Sequence, residues 1–468
     1  MNLNRPILCL LASLVFHQAV AQHTILIRNI NLVDVEKGII RPHAAVLIRD
    51  STITAISYTA AVPSADTVID GAGRYLIPGL WDMHTHIWND ELFFPLLVAN
   101  GVTGIRGMFE NIQIADGWKK KMAEGKIDGP EMRLAGPIVD GPKPIWPGSV
   151  AVKDPVDGRR AVDSLKNILH TDFIKVYSRL PRDSYFAIAD EAKKIGIPFA
   201  GHVPYVISVT EAAKAGQKSQ EHLYGFLEAA SDSADYLLKV QQGIIKDSVM
   251  QNDRAYRRRF LFRTFNAARL QSILREIKQY DTWICPTLTV DHAIANLDDT
   301  SLLNDPRAQY IGRFIRGSWD ARKDFRFKSL TPEIYLTLKK EFEFSLQIVK
   351  AMQDAGIPLL AGTDFPNPFC YPGFSLHEEM QWMVKAGLTP SQALQTATIN
   401  PARYFRIEQQ SGSVAVGKMA SLVILDADPL SDIGNTQKIS TVILRGKVFD
   451  RPALDALLAR AKKVAGPL

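Results

Sequence analysis

The middle of the chain alternates short apolar runs with amphipathic stretches of helical periodicity. Between residues 79 and 407, eight apolar runs of strand length are separated by amphipathic stretches, several of which end in Gly. The eight runs are LWDMHTH, GVTGIRGM, MRLAGPIV, DFIKVYS, IPFAGHV, KSQEHL, TWICPTLT and IPLLAGTDF. Because no glycine-rich dinucleotide fingerprint accompanies them, the alternation predicts an α/β fold with a (β/α)8, TIM-like barrel over residues 79–407 rather than an open sheet.

Both ends of the chain are rich in short β-like runs with turn residues between them. Examples are TILIRNINLVDVEKG and AAVLIRDSTITAIS near the start, and ASLVILDADPL and ISTVILRGKVFD near the end. We expect a small β-sandwich domain formed by both termini, from residues 22–78 plus 408–455, although two separate β appendages would also fit. Two long charged helical tracts, near 226–280 and 295–345, are predicted to be insertions over the barrel mouth or ordinary outer helices.

Residues 1–21 have the pattern of a secretory signal peptide. Arg5 precedes an apolar run over residues 7–16, and AVA stands just before Gln22, which predicts cleavage after Ala21. The apolar run is too short to span a bilayer comfortably, so no stable membrane anchor is expected. The mature chain would then keep two cysteines, Cys285 and Cys370, which we expect to be buried thiols. The predicted location is periplasmic or secreted.

Composition and charge narrow the classes of partner. The chain has 468 residues with 46% hydrophobic and 22% charged residues, which is typical of a globular protein with a large core. The formal net charge of +6 is small for this length, and no broad basic face is evident. We therefore expect no nucleic-acid partner and a small-molecule substrate. A homo-oligomer is compatible with the sequence.

Polar side chains stand at the ends of five of the eight apolar runs. His84 and His86 end the first, and the fourth, fifth, sixth and eighth carry the remaining candidates, which are Lys175, His202, His222 and Asp364. The carboxyl ends of barrel strands meet at one face, so these six side chains are expected to share one pocket. Singly, each could be a hydrogen-bonded core residue, a buried ion-pair partner or a helix cap. The coincidence of six favours a metal site.

The residue types indicate which metal chemistry to expect. Imidazoles with a carboxylate suit Zn²⁺, and also Fe, Mn or Co, while the lack of thiolates argues against a structural zinc cage. If Lys175 were carboxylated by CO₂, its carbamate could bridge two divalent ions. One ion would bind His84, His86 and Asp364, and the other His202 and His222. A hydroxide bridging two such ions is nucleophilic at neutral pH, and Asp364 could serve as the general acid/base.

The segments PGLWDMHTH, IKVY, GHV, EHL and AGTD, in this order, resemble the amidohydrolase superfamily. The resemblance is strongest to its imidazolonepropionase-like branch, which also includes peptidases acting on Xaa-Pro, Xaa-Arg or Xaa-Lys dipeptides. It implies a deformed barrel with a small β-sandwich, hydrolytic activity, two metal ions and a modified lysine. The residues that match the metal ligands of this branch are His84, His86, Lys175, His202, His222 and Asp364.

One departure from this branch concerns the group that polarises the scissile carbonyl. Dipeptidase members often have Tyr two positions after the fifth-strand His, where this chain has Pro204. Tyr205 is then the candidate for the catalytic role, with a packing aromatic as the alternative. Tyr177 and Arg179 could bind a substrate carboxylate, or form a loop salt bridge.

These observations predict a secreted binuclear metal-dependent hydrolase acting on carbon–nitrogen bonds. Its substrate would be a peptide, an N-acyl amino acid or a cyclic amide. The alternatives are a mononuclear deaminase or cyclic-amidine hydrolase, a lactone or organophosphate hydrolase on the same scaffold, and a metal-containing binding protein without catalysis. Lys175 favours the first, because a mononuclear site has no need of it.

Overall fold

A computed structural model describes residues 23–59 and 64–466 of the chain. The predicted signal peptide, residues 1–21, lies outside this part. The strands are β1 Thr24–Asp34, β2 Ile39–Arg49, β3 Thr52–Ser57, β4 Thr67–Asp70, β5 Tyr75–Pro78, β6 Leu80–Thr85, β7 Val102–Gly107, β8 Glu131–Leu134, β9 Val139–Asp140, β10 Val150–Ala151, β11 Ile174–Val176, β12 Phe199–Gly201, β13 Ser219–Glu221, β14 Trp283–Cys285, β15 Leu422–Leu425, β16 Ile439–Leu444 and β17 Lys447–Phe449.

The helices lie mainly between the strands of the middle region. They are α1 Asp90–Ala99, α2 Ile112–Ala123, α3 Pro155–Asn167, α4 Arg182–Ile195, α5 Val209–Lys214, α6 Phe226–Ala229, α7 Ala234–Gln241, α8 Ser248–Asn252, α9 Arg254–Thr264, α10 Ala267–Ile277, α11 Leu288–Ala295, α12 Arg313–Ser318, α13 Pro332–Ala355, α14 Phe374–Lys385, α15 Pro390–Thr396, α16 Ile399–Phe405 and α17 Arg451–Ala465. Short 3-10 helices occupy Thr300–Asn304, Pro306–Tyr310 and Ile433–Gln437. Within the described ranges, every helix is too short or too polar to cross a membrane.

Strands from the two ends of the chain form a single eight-stranded sheet. Its order is β17-β16-β15-β5-β1-β2-β3, with β4 paired to β1. The junction is the antiparallel pairing of β15 with β5, in which Val423 faces Ile77. Alternate residues of these strands enclose a separate apolar core, to which Ile27, Val46 and Ile424 contribute. The two ends of the chain therefore form one common sheet rather than two independent β appendages.

The middle region carries its strands in two parallel sheets with helices between them. One has the order β6-β7-β8 and the other β10-β9-β11-β12-β13-β14, and every pairing in both is parallel. The predicted mixed α/β class is thus confirmed. A large apolar cluster fills the space between these sheets and their helices. The carboxyl ends of the strands point to the same side of the molecule, which places their last residues near one another.

The segment predicted to form the eighth strand is not a regular strand in the structure. Residues 357–365 contribute two isolated parallel bridges, Leu359 with Ile284 and Phe365 with Thr85, rather than a regular strand. Asp364 has a left-handed φ of 58°, which interrupts the extended backbone. The segment also approaches the neighbouring strand closely, since a Cβ at Gly362 would lie 2.5 Å from the sulfur atom of Cys285. The segment still joins the two parallel sheets and carries Asp364 to their carboxyl ends.

The two predicted insertions are mainly helical. Residues 226–280 include α6 to α10, and residues 295–345 include two of the 3-10 helices, α12 and the first half of α13. Side chains from both, including Arg254 and Phe325, line the cavity that also contains the ends of the parallel strands. Both cysteines that follow the predicted leader are buried free thiols, as expected.

Replacement of Ile424 by Ala should destabilise the protein by about 2–5 kcal/mol, because Ile424 is 1% exposed in the core shared by both chain ends. The measurement is the free energy of unfolding in urea. Val416→Ala, at a side chain that is 60% exposed, is the matched control and should change stability by less than about 0.5 kcal/mol. Equal small effects in both variants would contradict a common core.

Candidate metal centre

The six side chains predicted from the strand ends lie together at the carboxyl ends of the parallel strands. Asp364 Oδ1 is 2.9 Å from His86 Nε2 and 3.5 Å from His84 Nε2. Lys175 Nζ is 3.1 Å from His84 Nε2. The His222 ring lies 4.6 Å from the His84 ring and 4.8 Å, between centroids, from the His202 ring, which completes the group.

Three of these residues have the spacing of a cation site. The ligand atoms of His84, His86 and Asp364 all lie within 4.8 Å of one another. Another group with this spacing is His84, Glu221 and Cys285. It is the weaker candidate, because Glu221 is already bound by an arginine and burial raises the pKa of the Cys285 thiol well above its ordinary value.

Hydrogen bonds on the outer side of the site orient three of the imidazoles. His84 Nδ1 lies 2.9 Å from Glu221 Oε2. His202 Nδ1 and His222 Nδ1 are each 2.7 Å from a hydroxyl oxygen, that of Ser178 and that of Thr287 respectively. Because a carboxylate only accepts, the proton of His84 belongs on Nδ1, which leaves the Nε2 lone pair directed at the other candidate ligands. This is the arrangement that metal-binding histidines require.

The carboxylate that holds His84 is itself fixed by a fully buried arginine on β7. Arg106 donates to both oxygens of Glu221, at 2.9 and 2.8 Å. It also donates to the Ser219 hydroxyl at 2.6 Å, the Tyr404 hydroxyl at 3.0 Å and the Met83 carbonyl at 2.6 Å. The sequence contained a signal for this residue, an arginine inside the apolar run GVTGIRGM, which our sequence interpretation missed.

Burial controls the protonation of the site. It lowers the pKa of all four histidines, to about 4 for His222, so their imidazoles are neutral at physiological pH. Burial also lowers the pKa of Lys175, which is 1% exposed, to about 8. Burial opposes ionisation of Asp364, but the hydrogen bond from His86 keeps the pKa of its carboxyl below the ordinary value. Neutral imidazoles beside an ionised carboxylate suit cation binding.

The three predicted substrate-binding or catalytic residues line the cavity beside this group. Tyr177 stacks on His202 with ring centroids 3.9 Å apart, and its hydroxyl accepts a hydrogen bond from Trp146 Nε1. Arg179 donates from Nη1 to the Lys143 carbonyl. Tyr205 is exposed to the cavity. All three therefore face the space a substrate would enter.

Two further residues of the site were not found from the sequence. Tyr224, two positions after His222, is 45% exposed and lies in the cavity wall, with its ring 4.9 Å from that of His202. Glu110 follows β7 and is 5% exposed, and both of its oxygens lack a hydrogen-bond partner within the described chain. Burial raises the pKa of Glu110 to about 8. A Cβ at Gly107 would lie 2.5 Å from this carboxyl, so the glycine makes room for it.

Arg106→Met should destabilise the fold by about 3–5 kcal/mol, because it leaves the Glu221 carboxylate buried without its cation. The free energy of unfolding in urea measures the effect. Arg28→Met, which breaks the half-exposed pair of Arg28 with Asp70, is the control and should cost less than about 1 kcal/mol. The double variant Arg106→Met/Glu221→Leu should be more stable than Arg106→Met alone, and the reverse order would contradict the uncompensated-charge explanation.

Sequence comparison with known proteins finds matches over part of the chain. Residues 343–449 match the model of the amidohydrolase family. An imidazolonepropionase from Herpetosiphon aurantiacus is 36% identical over 95 residues, which is 19% of this chain and 22% of that protein. A 5'-deoxyadenosine deaminase from Methanothermobacter thermautotrophicus is 54% identical over 43 residues, 9% of this chain and 10% of that protein. The matching regions thus span a quarter or less of these curated relatives.

The comparison of structures extends over almost the whole chain. Bottromycin amidohydrolase has a TM-score of 0.71 at 23% identity, covering 95% of this chain and 91% of that one. A Xaa-Pro dipeptidase solved with methionine in its active site has a TM-score of 0.64 at 18% identity, covering 91% and 100%. At these identities the likeness establishes the fold. Residues 343–449 therefore match the amidohydrolase family and the chain has the fold of solved amidohydrolases, which confirms the resemblance that its motifs predict.

Proposed function

We propose that this protein is a metal-dependent hydrolase that cleaves amide bonds in a peptide, an N-acyl amino acid or a cyclic amide. The observation that carries the proposal is the convergence of four neutral histidines, a buried lysine and an ionised aspartate at the carboxyl ends of the parallel strands. Such a donor set has no evident structural purpose, because buried polar groups of this kind cost stability unless they bind something.

The donors fit two divalent cations, with Zn²⁺ expected from the ligand types. His84, His86 and Asp364 would hold one ion and His202 and His222 the other, with a carboxylated Lys175 between them. Carboxylation needs a neutral amine, and a lysine with a pKa of about 8 provides far more of it than an exposed lysine does. The cations, when bound, would supply Lewis acidity and lower the pKa of a water molecule.

The proton transfers of amide hydrolysis are assigned to Asp364. Its carboxylate is held ionised by His86, so it can accept a proton from the attacking water. The same group can then deliver that proton to the leaving nitrogen. Tyr205 is the proposed residue for polarising the scissile carbonyl, and Tyr177 and Arg179 are proposed to bind a substrate carboxylate, since all three line the cavity.

A second candidate function is a mononuclear deaminase or cyclic-amidine hydrolase. The observation favouring it is the sequence match to imidazolonepropionases and to a 5'-deoxyadenosine deaminase. Lactone or organophosphate hydrolysis would use the same ligands. Lys175 distinguishes the two proposals, because its amine lies 3.1 Å from a histidine ligand atom, where a bridging ligand would be needed in a binuclear site and not in a mononuclear one.

We further propose that the two parallel sheets and the segment at 357–365 close into one (β/α)8 barrel, over residues 79–407. The bridges from Leu359 to Ile284 and from Phe365 to Thr85 support this closure. The terminal sheet would be the small β-sandwich domain, residues 22–78 plus 408–455. Residues 1–21 would direct the protein to the periplasm or the exterior.

Asp364→Asn should lower kcat by about 10²–10⁴-fold while the protein stays folded, because the amide cannot take up the proton. Turnover of dipeptide and N-acyl-amino-acid panels and metal content by mass spectrometry are the measurements. Asp190→Asn, at an exposed carboxylate on α4, is the control and should match the wild type. Turnover within about threefold of the wild type in Asp364→Asn would contradict the proton-transfer role.

Lys175→Ala should reduce the metal content per chain from two ions to one or none, because the bridging ligand is lost. Short carboxylic acids added to this variant should restore part of the activity. The intact mass of the wild type should exceed the sequence mass by one CO₂, and Lys193→Ala, at an exposed position on α4, should keep both ions. One ion and an unmodified lysine in the wild type would instead favour the mononuclear alternative.

A further inference from the structure

A series of aromatic side chains in contact with one another begins at the candidate metal centre and follows one side of the cavity. Tyr177 stacks on His202, with ring centroids 3.9 Å apart, and its hydroxyl accepts a hydrogen bond of 2.9 Å from the indole nitrogen of Trp146. The Trp146 ring in turn meets the Phe325 ring edge to face, with centroids 5.6 Å apart. Tyr177, Trp146 and Phe325 all line the cavity, and together they form what we call the aromatic wall.

The aromatic wall is also connected to the other side of the metal centre. The guanidinium carbon of Arg326 lies 5.2 Å from the centroid of the Trp146 ring. Arg326 Nη1 donates to Asn367 Oδ1 at 2.7 Å, and Asn367 Nδ2 donates to the Asp364 carbonyl at 2.8 Å. Direct contacts therefore run from His202 through the aromatic wall to Asp364, so a group bound against the wall lies beside the candidate ligands.

The loop that carries Trp146 is fixed by the protein itself. The fully buried Asp140 carboxylate accepts hydrogen bonds from the backbone N–H groups of Ile145 and Arg179, at 3.0 and 2.8 Å. The Arg179 side chain also donates to the Lys143 carbonyl at 2.9 Å, on the same loop. Because the loop backbone is already ordered, binding a ligand against Trp146 costs little conformational entropy.

Much aromatic surface in this cavity is left uncovered. Phe325, at the end of the aromatic wall, has 55% of its side chain exposed. Trp88, two residues after His86, and Tyr224, two residues after His222, are also half-exposed and line the same cavity. Uncovered apolar surface of this kind marks a place where a ligand binds. Since the aromatic wall is continuous with the candidate metal ligands, the ligand that covers it is the substrate.

The geometry of the wall suits a flat ring. Trp146 and Phe325 meet at an interplanar angle of 76°, so a ring that stacks parallel to one of them presents its edge or face to the other. Aromatic groups prefer these two arrangements, and each pair gains free energy beyond that of burying the same area. An aliphatic side chain gains only the burial.

We propose that the aromatic wall is a substrate subsite that binds an aromatic side chain next to the scissile amide, with Trp146 and Phe325 as its specificity-determining residues. The inference rests on the proposed function and narrows its substrate class to amides that carry an aromatic group beside the cleaved bond.

The kinetic test compares the dipeptides Phe-Ala and Ala-Phe with Ala-Ala. The wild type should hydrolyse at least one of the phenylalanine dipeptides with a kcat/KM about tenfold or more above that of Ala-Ala. Phe325→Ala should lower this ratio by about tenfold, because the ring contact and the apolar burial are both lost. Phe325→Leu, which keeps apolar bulk without a ring, should retain only part of the preference.

Phe314→Ala is the matched control for Phe325→Ala. Phe314 belongs to the same insertion and is 84% exposed, but it lies outside the lining of the cavity in the described structure. Its removal should leave the ratio of kcat/KM unchanged. A ratio that Phe325→Ala does not change, or that Phe325→Leu retains in full, would overturn the aromatic subsite.

Calorimetric binding of acids without an amide bond separates this inference from the proposed function. The probes are hydrocinnamate, which carries a phenyl ring, and propionate, which lacks one. Binding of hydrocinnamate about tenfold tighter than that of propionate, lost in Phe325→Ala and kept in Phe314→Ala, would support the subsite even if no amide were hydrolysed. Equal binding of both acids to the wild type would overturn the subsite and leave the hydrolase proposal standing.

Discussion

The ion pair between Arg106 and Glu221 is completely buried, and the orientation of His84 depends on it. Two charges in the interior are costly unless their hydrogen bonds are satisfied, and here Arg106 has five acceptor contacts from four residues. These residues come from β6, β13 and α16, so the pair also links segments that are far apart in the chain. A rigid outer layer of this kind keeps the His84 imidazole in one tautomer and one direction.

The same reasoning applies to the rest of the candidate centre. The imidazoles of His202 and His222 are held by hydroxyl groups, and burial keeps all four rings neutral. Glu110 remains buried with both oxygens unpartnered in the described structure. The protein therefore maintains an arrangement that lowers its own stability in the absence of ligands. Such a cost is reasonable where cations and substrate supply the missing interactions.

The candidate metal ligands and the walls of the cavity come from different parts of the structure. The candidate metal ligands lie on the parallel strands, just beyond their ends or on the segment that joins the two sheets, which suits groups that must be placed precisely. The walls beyond them come from α9, α10, α11 and α13 and from the segment before α13, where charged residues are paired with one another. Arg326 links this region to the site, since it donates to Asn367 just beyond Asp364. Changes in these walls could alter the substrate without disturbing the ligands.

The sequence by itself determined the alternation of strands and helices, the β-rich ends and the six strand-end residues. These were readable because the carboxyl ends of parallel strands meet on one side, so position along the chain predicts position in space. It did not reveal that residues 357–365 lack a regular strand or that Asp364 has a positive φ, because the apolar run there has the same pattern as the runs that do form strands. Nor did our sequence interpretation identify the role of Arg106, although an arginine inside an apolar run was a signal, or that of Glu221, which reads as an ordinary charged residue. Their partners depend on side chains far away in sequence, so only the tertiary structure decided which charges are paired, which are buried and which face the cavity.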